Sequence, residues 1–201
     1  VPNGVDCGYN RPGLALRLPQ TLVFNGSLTY SANYAAIQWF LSQVWPRIRA
    51  QAPDITLTIT GSTDGVDLAG LAIDDHVRLT GYVEDIRQPV AEAKIAIAPI
   101  RQGGGTRLKI LEAMALGTPV VATTKAAEGL EVIPDQHLLI ADDADSFARA
   151  VLSLLRDPEA WQYLANNARR LVEADYDWRQ IGQQFVTAIE EAVQRKATKH
   201  V

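Results

Sequence analysis

The sequence is poor in the residues that cross-link a small fold or bind metal in it. One cysteine, Cys7, among 201 residues excludes an internal disulfide and suits a reducing compartment. The three histidines, His76, His137 and His200, are scattered without ligand spacing, so no metal site and no metal cofactor are expected. No apolar run approaches the roughly 20 residues that span a bilayer, and no signal peptide is visible. The expected location is therefore cytoplasmic. At most there is peripheral attachment to the inner face of the membrane through the basic run Arg195-Lys196-Ala197-Thr198-Lys199-His200. Neither sign of charge dominates: a net charge of −4 argues against a general nucleic-acid binder. The single methionine is Met114 and the first residue is Val1, so the chain is expected to be a fragment, a processed product or an expressed piece rather than a complete open reading frame.

What is present is an ordinary globular composition, 47% hydrophobic and 21% charged, in a length that buries a core unaided. Strand and helix patterns alternate along it. Thr21-Leu22-Val23-Phe24 reads as a buried strand, and Tyr34 to Arg49 carries Ile37, Phe40, Leu41, Val44 and Ile48 at helical spacing. Further strands are expected at Ile55–Thr60, Val77–Thr80, Lys94–Pro99, Pro119–Thr123 and His137–Ala141. Helices are expected at Glu84–Glu92, Ala144–Leu155, Glu159–Val172 and Gln180–Lys196. This rhythm predicts a single α/β domain, a Rossmann-like parallel sheet of about six strands flanked by helices. Ligands of such sheets lie beyond the carboxyl ends of the strands. Trp39, Trp45, Trp161 and Trp178 fall at helical positions and are expected to pack.

The stretch with the most chemistry is Gly103-Gly104-Gly105-Thr106-Arg107-Leu108-Lys109-Ile110-Leu111-Glu112-Ala113-Met114-Ala115-Leu116-Gly117-Thr118-Pro119. Three glycines precede a short helix that Gly117 and Pro119 end. Glycines let backbone approach a ligand closely, and a helix start presents free N–H groups and a positive dipole end. Arg107 and Lys109 sit in that first turn, where cations are misplaced unless an anion is bound. Glu112 lies among apolar neighbours, where a carboxylate needs a partner. Two uses of these residues stand side by side. One is a phosphate seat with an acceptor group behind it. The other is a plain αβ turn followed by a surface cation pair and a Glu112–Lys109 pair at i,i−3 spacing.

This segment resembles the donor-site motif of family 4 retaining glycosyltransferases of the GT-B fold. Phe24-Asn25-Gly26-Ser27-Leu28, Leu79-Thr80-Gly81-Tyr82-Val83-Glu84-Asp85 and Ile97-Ala98-Pro99 follow in that family's order and spacing. Val1-Pro2-Asn3-Gly4-Val5-Asp6 is similar to the segment joining the two halves of such an enzyme. The resemblance implies that residues 1–201 form the C-terminal, donor-binding domain, with 1–20 like an interdomain linker and 178–201 a terminal helix and tail. The N-terminal acceptor domain of such an enzyme is then expected to lie outside this chain. It implies transfer of a hexose-type sugar from a UDP- or GDP-sugar to an acceptor with retention and without a metal, and a fragment that binds nucleotide but is inactive alone. The implied substrate contacts are Gly26, Ser27, Gly103, Gly104, Gly105, Thr106, Arg107 and Lys109 for the phosphates and sugar, Glu112 at the ribose, and Leu111 elsewhere along the nucleotide sugar. Tyr82, Val83 and Asp85 would meet the base. Arg107 and Lys109 would assist departure of the diphosphate.

Lys125-Ala126-Ala127-Glu128-Gly129-Leu130 matches a loop facing the same cleft, where Glu128 is either a sugar or phosphate contact or a surface acid. The sequence departs from the common family pattern at three positions. Gly104 stands where many relatives have a second glutamate, and Ser27 and Ala32 where they have arginine and lysine. A noncatalytic interaction domain on a degenerate site, or a sugar-nucleotide epimerase of the same architecture, are the alternatives.

Overall fold

The computed structural model describes residues 3–105 and 107–198, with side chains as far as Glu190. Thr106, Val1, Pro2, the last three residues and the side chains of the basic run therefore lie outside the described residues.

Six strands form one parallel sheet in the order β3-β2-β1-β4-β5-β6. They are β1 (Thr21–Asn25), β2 (Thr56–Thr60), β3 (Val77–Leu79), β4 (Ile95–Ala98), β5 (Val120–Ala122) and β6 (Leu139–Ile140). The central strands are buried on both faces, with β4 (Ile-Ala-Ile-Ala) and β5 (Val-Val-Ala) enclosed throughout. A strand covered on both faces has no solvent side, so it reads as a nearly continuous apolar run. The strand order reverses between β1 and β4, the point where a doubly wound sheet opens a crevice at its carboxyl edge.

Helices cover both faces. On one lies the long helix after β1, made of α1 (Ser31–Trp39), a π-turn at Phe40–Val44 and α2 (Trp45–Arg49). Pro46 has no N–H to return to the preceding turn, and the Trp45 N–H reaches Phe40 O, which widens the helix there. Beside it packs α6 (Ala144–Arg156), whose Phe147 meets Trp39 and Phe40 edge-on at 5.9 and 5.8 Å. The other face carries α3 (Arg87–Glu92), α4 (Leu108–Ala115) and α7 (Pro158–Leu171). The short α5 (Thr124–Ala127) follows β5, and α8 (Trp178–Thr198) ends the described chain.

Local sequence explains the helix boundaries. Asp143 caps α6 by accepting from the N–H groups of Asp145 and Ser146, and Asp157 caps α7 through Glu159 and Ala160 ahead of Pro158. The helix expected from Glu84 begins only at Arg87, because the Asp85 carboxylate takes the Arg87 N–H and holds the segment before it in a turn. At the end of α4 the Gly117 N–H bonds Met114 O, and the Thr118 N–H bonds Ala113 O at 2.9 Å. This paired C-terminal closure turns the chain into β5. Of the four tryptophans, Trp45 is buried, Trp39 and Trp161 are half-buried, and Trp178 at the start of α8 is 48% exposed. No helix among the described residues is long and apolar enough to cross a membrane.

Candidate functional site

The crevice at the β1/β4 switch point is where the glycine loop lies. Gly103 and Gly105 adopt φ of +89° and +114°, a region closed to side-chain-bearing residues, so the loop's course depends on glycine there. Between this loop and the turn after β1 is a cavity of about 270 Å³ lined by Tyr30, Asn33, Ala98, Ile100, Arg107 and Lys109. A second recess of about 300 Å³ lies on the other side of Lys109, between Asn25, Gly61, Tyr82, Val83, Ile86 and Glu112. One lysine thus separates two chambers.

The two cations of the motif are not a solvated surface pair. The Arg107 side chain is only 10% exposed, and its Nε is buried without a hydrogen-bond partner among the described residues. Its Nη2 reaches the exposed Glu128 carboxylate at 3.3 Å. Lys109 Nζ donates to Asn33 Oδ1 at 2.9 Å and stands 4.1 Å from the centre of the Phe24 ring. Burial pushes its ammonium down to about 8, the Glu112 carboxylate opposing and Arg107 adding to the effect. Both cations occupy the start of α4, where the helix dipole disfavours them.

The expected alternative of a Glu112–Lys109 pair is not what these side chains do. Glu112 Oε2 accepts from Asn25 Nδ2 at 3.2 Å, while Lys109 turns to Asn33. Burial raises the Glu112 carboxyl; Lys109 and then the Asn25 hydrogen bond pull it back down. Asn25 and Asn33 are the residues that the sequence did not single out, although each fixes one charged member of the motif.

The remaining expected contacts divide. Tyr82 is 80% exposed at the rim of the second recess beside Val83, and Gly26 lines the same recess. Asp85 is instead committed to Arg87, accepting at Oδ1 (2.8 Å) and Oδ2 (2.5 Å). Ser27 spends its hydroxyl on Ser62 O at 3.0 Å and Thr29 at 2.7 Å. Gly104 lines the first cavity, and its carbonyl faces the Tyr30 hydroxyl at 3.5 Å. Leu111 is buried and borders a third hollow, between Arg107 and Tyr176. Thr106 lies outside the described residues. Among the described residues no group of three His, Cys, Asp or Glu side chains is arranged to hold a metal.

A switch-point cleft lined by glycine and two enclosed cations, on a six-stranded parallel sheet flanked by helices, defines a Rossmann-like α/β domain. The sequence profile of the family described as "Glycosyl transferases group 1" matches residues 19–157, and the chain belongs to that family. It is 30% identical over 208 residues to the phosphatidyl-myo-inositol mannosyltransferase of Mycolicibacterium smegmatis, over 94% of this chain and 51% of that protein. With the Mycobacterium leprae protein of the same name it shares 31% over 202 residues, 94% of this chain and 52% of the other. The chain thus spans about half the length of the curated relatives it matches. Sucrose-phosphate synthase from Thermosynechococcus elongatus has the same fold, with a TM-score of 0.75 at 22% identity over 97% of this chain and 52% of that one. HepE from Anabaena, solved with UDP and glucose, gives 0.73 at 16% identity over 94% and 55%.

Proposed function

We propose that this domain binds the donor of a hexosyl transfer, a nucleoside diphosphate sugar, and that the whole protein moves the sugar to an acceptor with retention. The observation that carries this reading is the pair of enclosed cations, Arg107 with an unpartnered buried Nε and Lys109 bonded only to a neutral amide among the described residues. The exposed Glu128 carboxylate meets Arg107 only at Nη2, and Glu112 acts on Lys109 without a direct bond, so both enclosed charges are incompletely balanced. A bound diphosphate completes that balance at a helix N-terminus and a glycine loop. The nucleoside then lies in the recess beyond Lys109, with the ribose diol on Glu112 and the base against Tyr82 and Val83. The UDP complex of Anabaena HepE and the mannosyltransferases among the relatives agree with such a donor.

The chemistry follows from charge placement. As the sugar–oxygen bond breaks, negative charge grows on the diphosphate, and Arg107, Lys109 and the N–H groups opening α4 are already aimed at it. Acceptor binding belongs to a partner domain supplied by the rest of the protein, so this chain alone binds nucleotide and transfers little. Calorimetric titration of UDP, GDP and ADP into the wild type, Arg107→Ala and Glu112→Ala tests the reading. Binding of one nucleotide that both substitutions weaken supports it. No binding by the wild type at millimolar ligand supports a noncatalytic interaction domain instead.

A further inference from the structure

The third hollow, about 380 Å³, adjoins the cation-lined cavity: Gly105 and Arg107 border both. That volume falls within the range of about 300–1,000 Å³ common for ligand pockets. Its walls differ from the first cavity in one decisive way. Leu111, Leu130 and Tyr176 make an apolar side, and the Glu128 carboxylate stands at the rim. Glu128 follows α5 and is held there by Lys125 Nζ at 2.6 Å and Arg107 Nη2 at 3.3 Å, both donating to Oε2. Its other oxygen has no hydrogen bond among the described residues. Lys125 keeps the carboxyl below the usual carboxylate range, so it is ionised at neutral pH.

A carboxylate at this rim repels phosphate, so the hollow is not a continuation of the diphosphate seat. An acceptor-only group facing apolar walls suits a neutral ring with hydroxyls on one side and C–H groups on the other. Given a donor diphosphate on Arg107 and Lys109, as proposed above, this hollow is the space next to it, since Gly105 and Arg107 border both cavities. We infer that Glu128 is a sugar-binding residue, whose carboxylate accepts hydrogen bonds from hydroxyls of the donor hexose between Arg107 and Tyr176. Arg107 is the shared wall, bound to Glu128 on one side and to phosphate on the other.

The test compares each diphosphate with its sugar nucleotide, UDP with UDP-glucose and GDP with GDP-mannose, by calorimetry on the wild type, Glu128→Ala and Glu128→Gln. The wild type binds one sugar nucleotide about tenfold more tightly than its diphosphate. Both variants lose most of that increment. Glu128→Ala meanwhile binds the diphosphate about threefold more tightly, because Arg107 is released from its ion pair with Glu128. An increment that survives in Glu128→Ala, or is absent from the wild type while the diphosphate binds, overturns the assignment and spares the donor-site reading. Failure of the wild type to bind any of the four ligands overturns both.

Discussion

Asn25 Nδ2 donates to Glu112 Oε2 across 3.2 Å, tying the end of β1 to the middle of α4 between residues 87 positions apart. The amide holds one oxygen of a half-buried carboxylate and helps keep it charged against burial. Asn25→Ala should remove both effects. The expected outcome is nucleoside diphosphate binding about fivefold weaker by calorimetry. Asn25→Asp should be worse, since it sets a second carboxylate beside the first.

Lys109 predicts a pH dependence. Its folded value of about 8 lies below the roughly 10.4 of an unfolded lysine, so between these values the unfolded chain binds more protons. Stability of the free protein therefore gains from Lys109 as pH rises from about 8 to about 10.4. The Cys7 thiol, pushed up to about 12 by burial, works in the opposite direction over part of this range. The contribution is thus read as the difference between denaturant melts of the wild type and Lys109→Met. Diphosphate binding has the reverse trend, because it needs the ammonium: affinity should fall above pH 8 in the wild type and stay flat in Lys109→Met.

Two glycines of the site should respond oppositely to alanine. A Cβ on Gly61, at φ +104°, would meet the Ser27 N at 2.5 Å and the Gly26 C at 2.7 Å, both backbone atoms. A Cβ on Gly104 meets nothing within 4 Å. Gly61→Ala is expected to lose more than about 2 kcal/mol in a denaturant melt, whereas Gly104→Ala stays within about 0.5 kcal/mol of the wild type.

Arg169 anchors the first described residues to the far face of the sheet. Its guanidinium donates to Asn10 O at 2.6 Å and Cys7 O at 2.9 Å, to Ala115 O at the end of α4, and to Glu173 at 2.7 Å. Three carbonyls from two segments depend on one planar fork, so Arg169→Ala should lose about 3 kcal/mol. Lysine, a point charge with different geometry, should recover little of this in the same melt.

The sheet was legible because buried strands must be short apolar runs: Ile55–Thr60 and Lys94–Pro99 each contain their observed strand, and Thr21–Phe24 stops one residue short of the end of β1 at Asn25. The glycine loop and the end of α4 were equally legible, since glycine and proline act through backbone geometry within a few residues. The partners of the motif's charges were not. Asn25 with Glu112 and Asn33 with Lys109 meet only once β1, α1 and α4 have packed, and neither asparagine stands out locally. Asp85 is held by Arg87, two residues on, in a chelate that spacing alone does not reveal. The four-residue α5, which delivers Glu128, is too short to show any periodicity.

The most direct test of the donor-site account is a phosphate ladder: uridine, UMP and UDP, then guanosine, GMP and GDP, titrated into this chain. The account predicts that one series binds, that the diphosphate binds at least tenfold more tightly than the nucleoside, and that Arg107→Ala combined with Lys109→Met removes that step while leaving the nucleoside affinity in place. Equal affinity along both ladders, or a step that survives the double substitution, would contradict it.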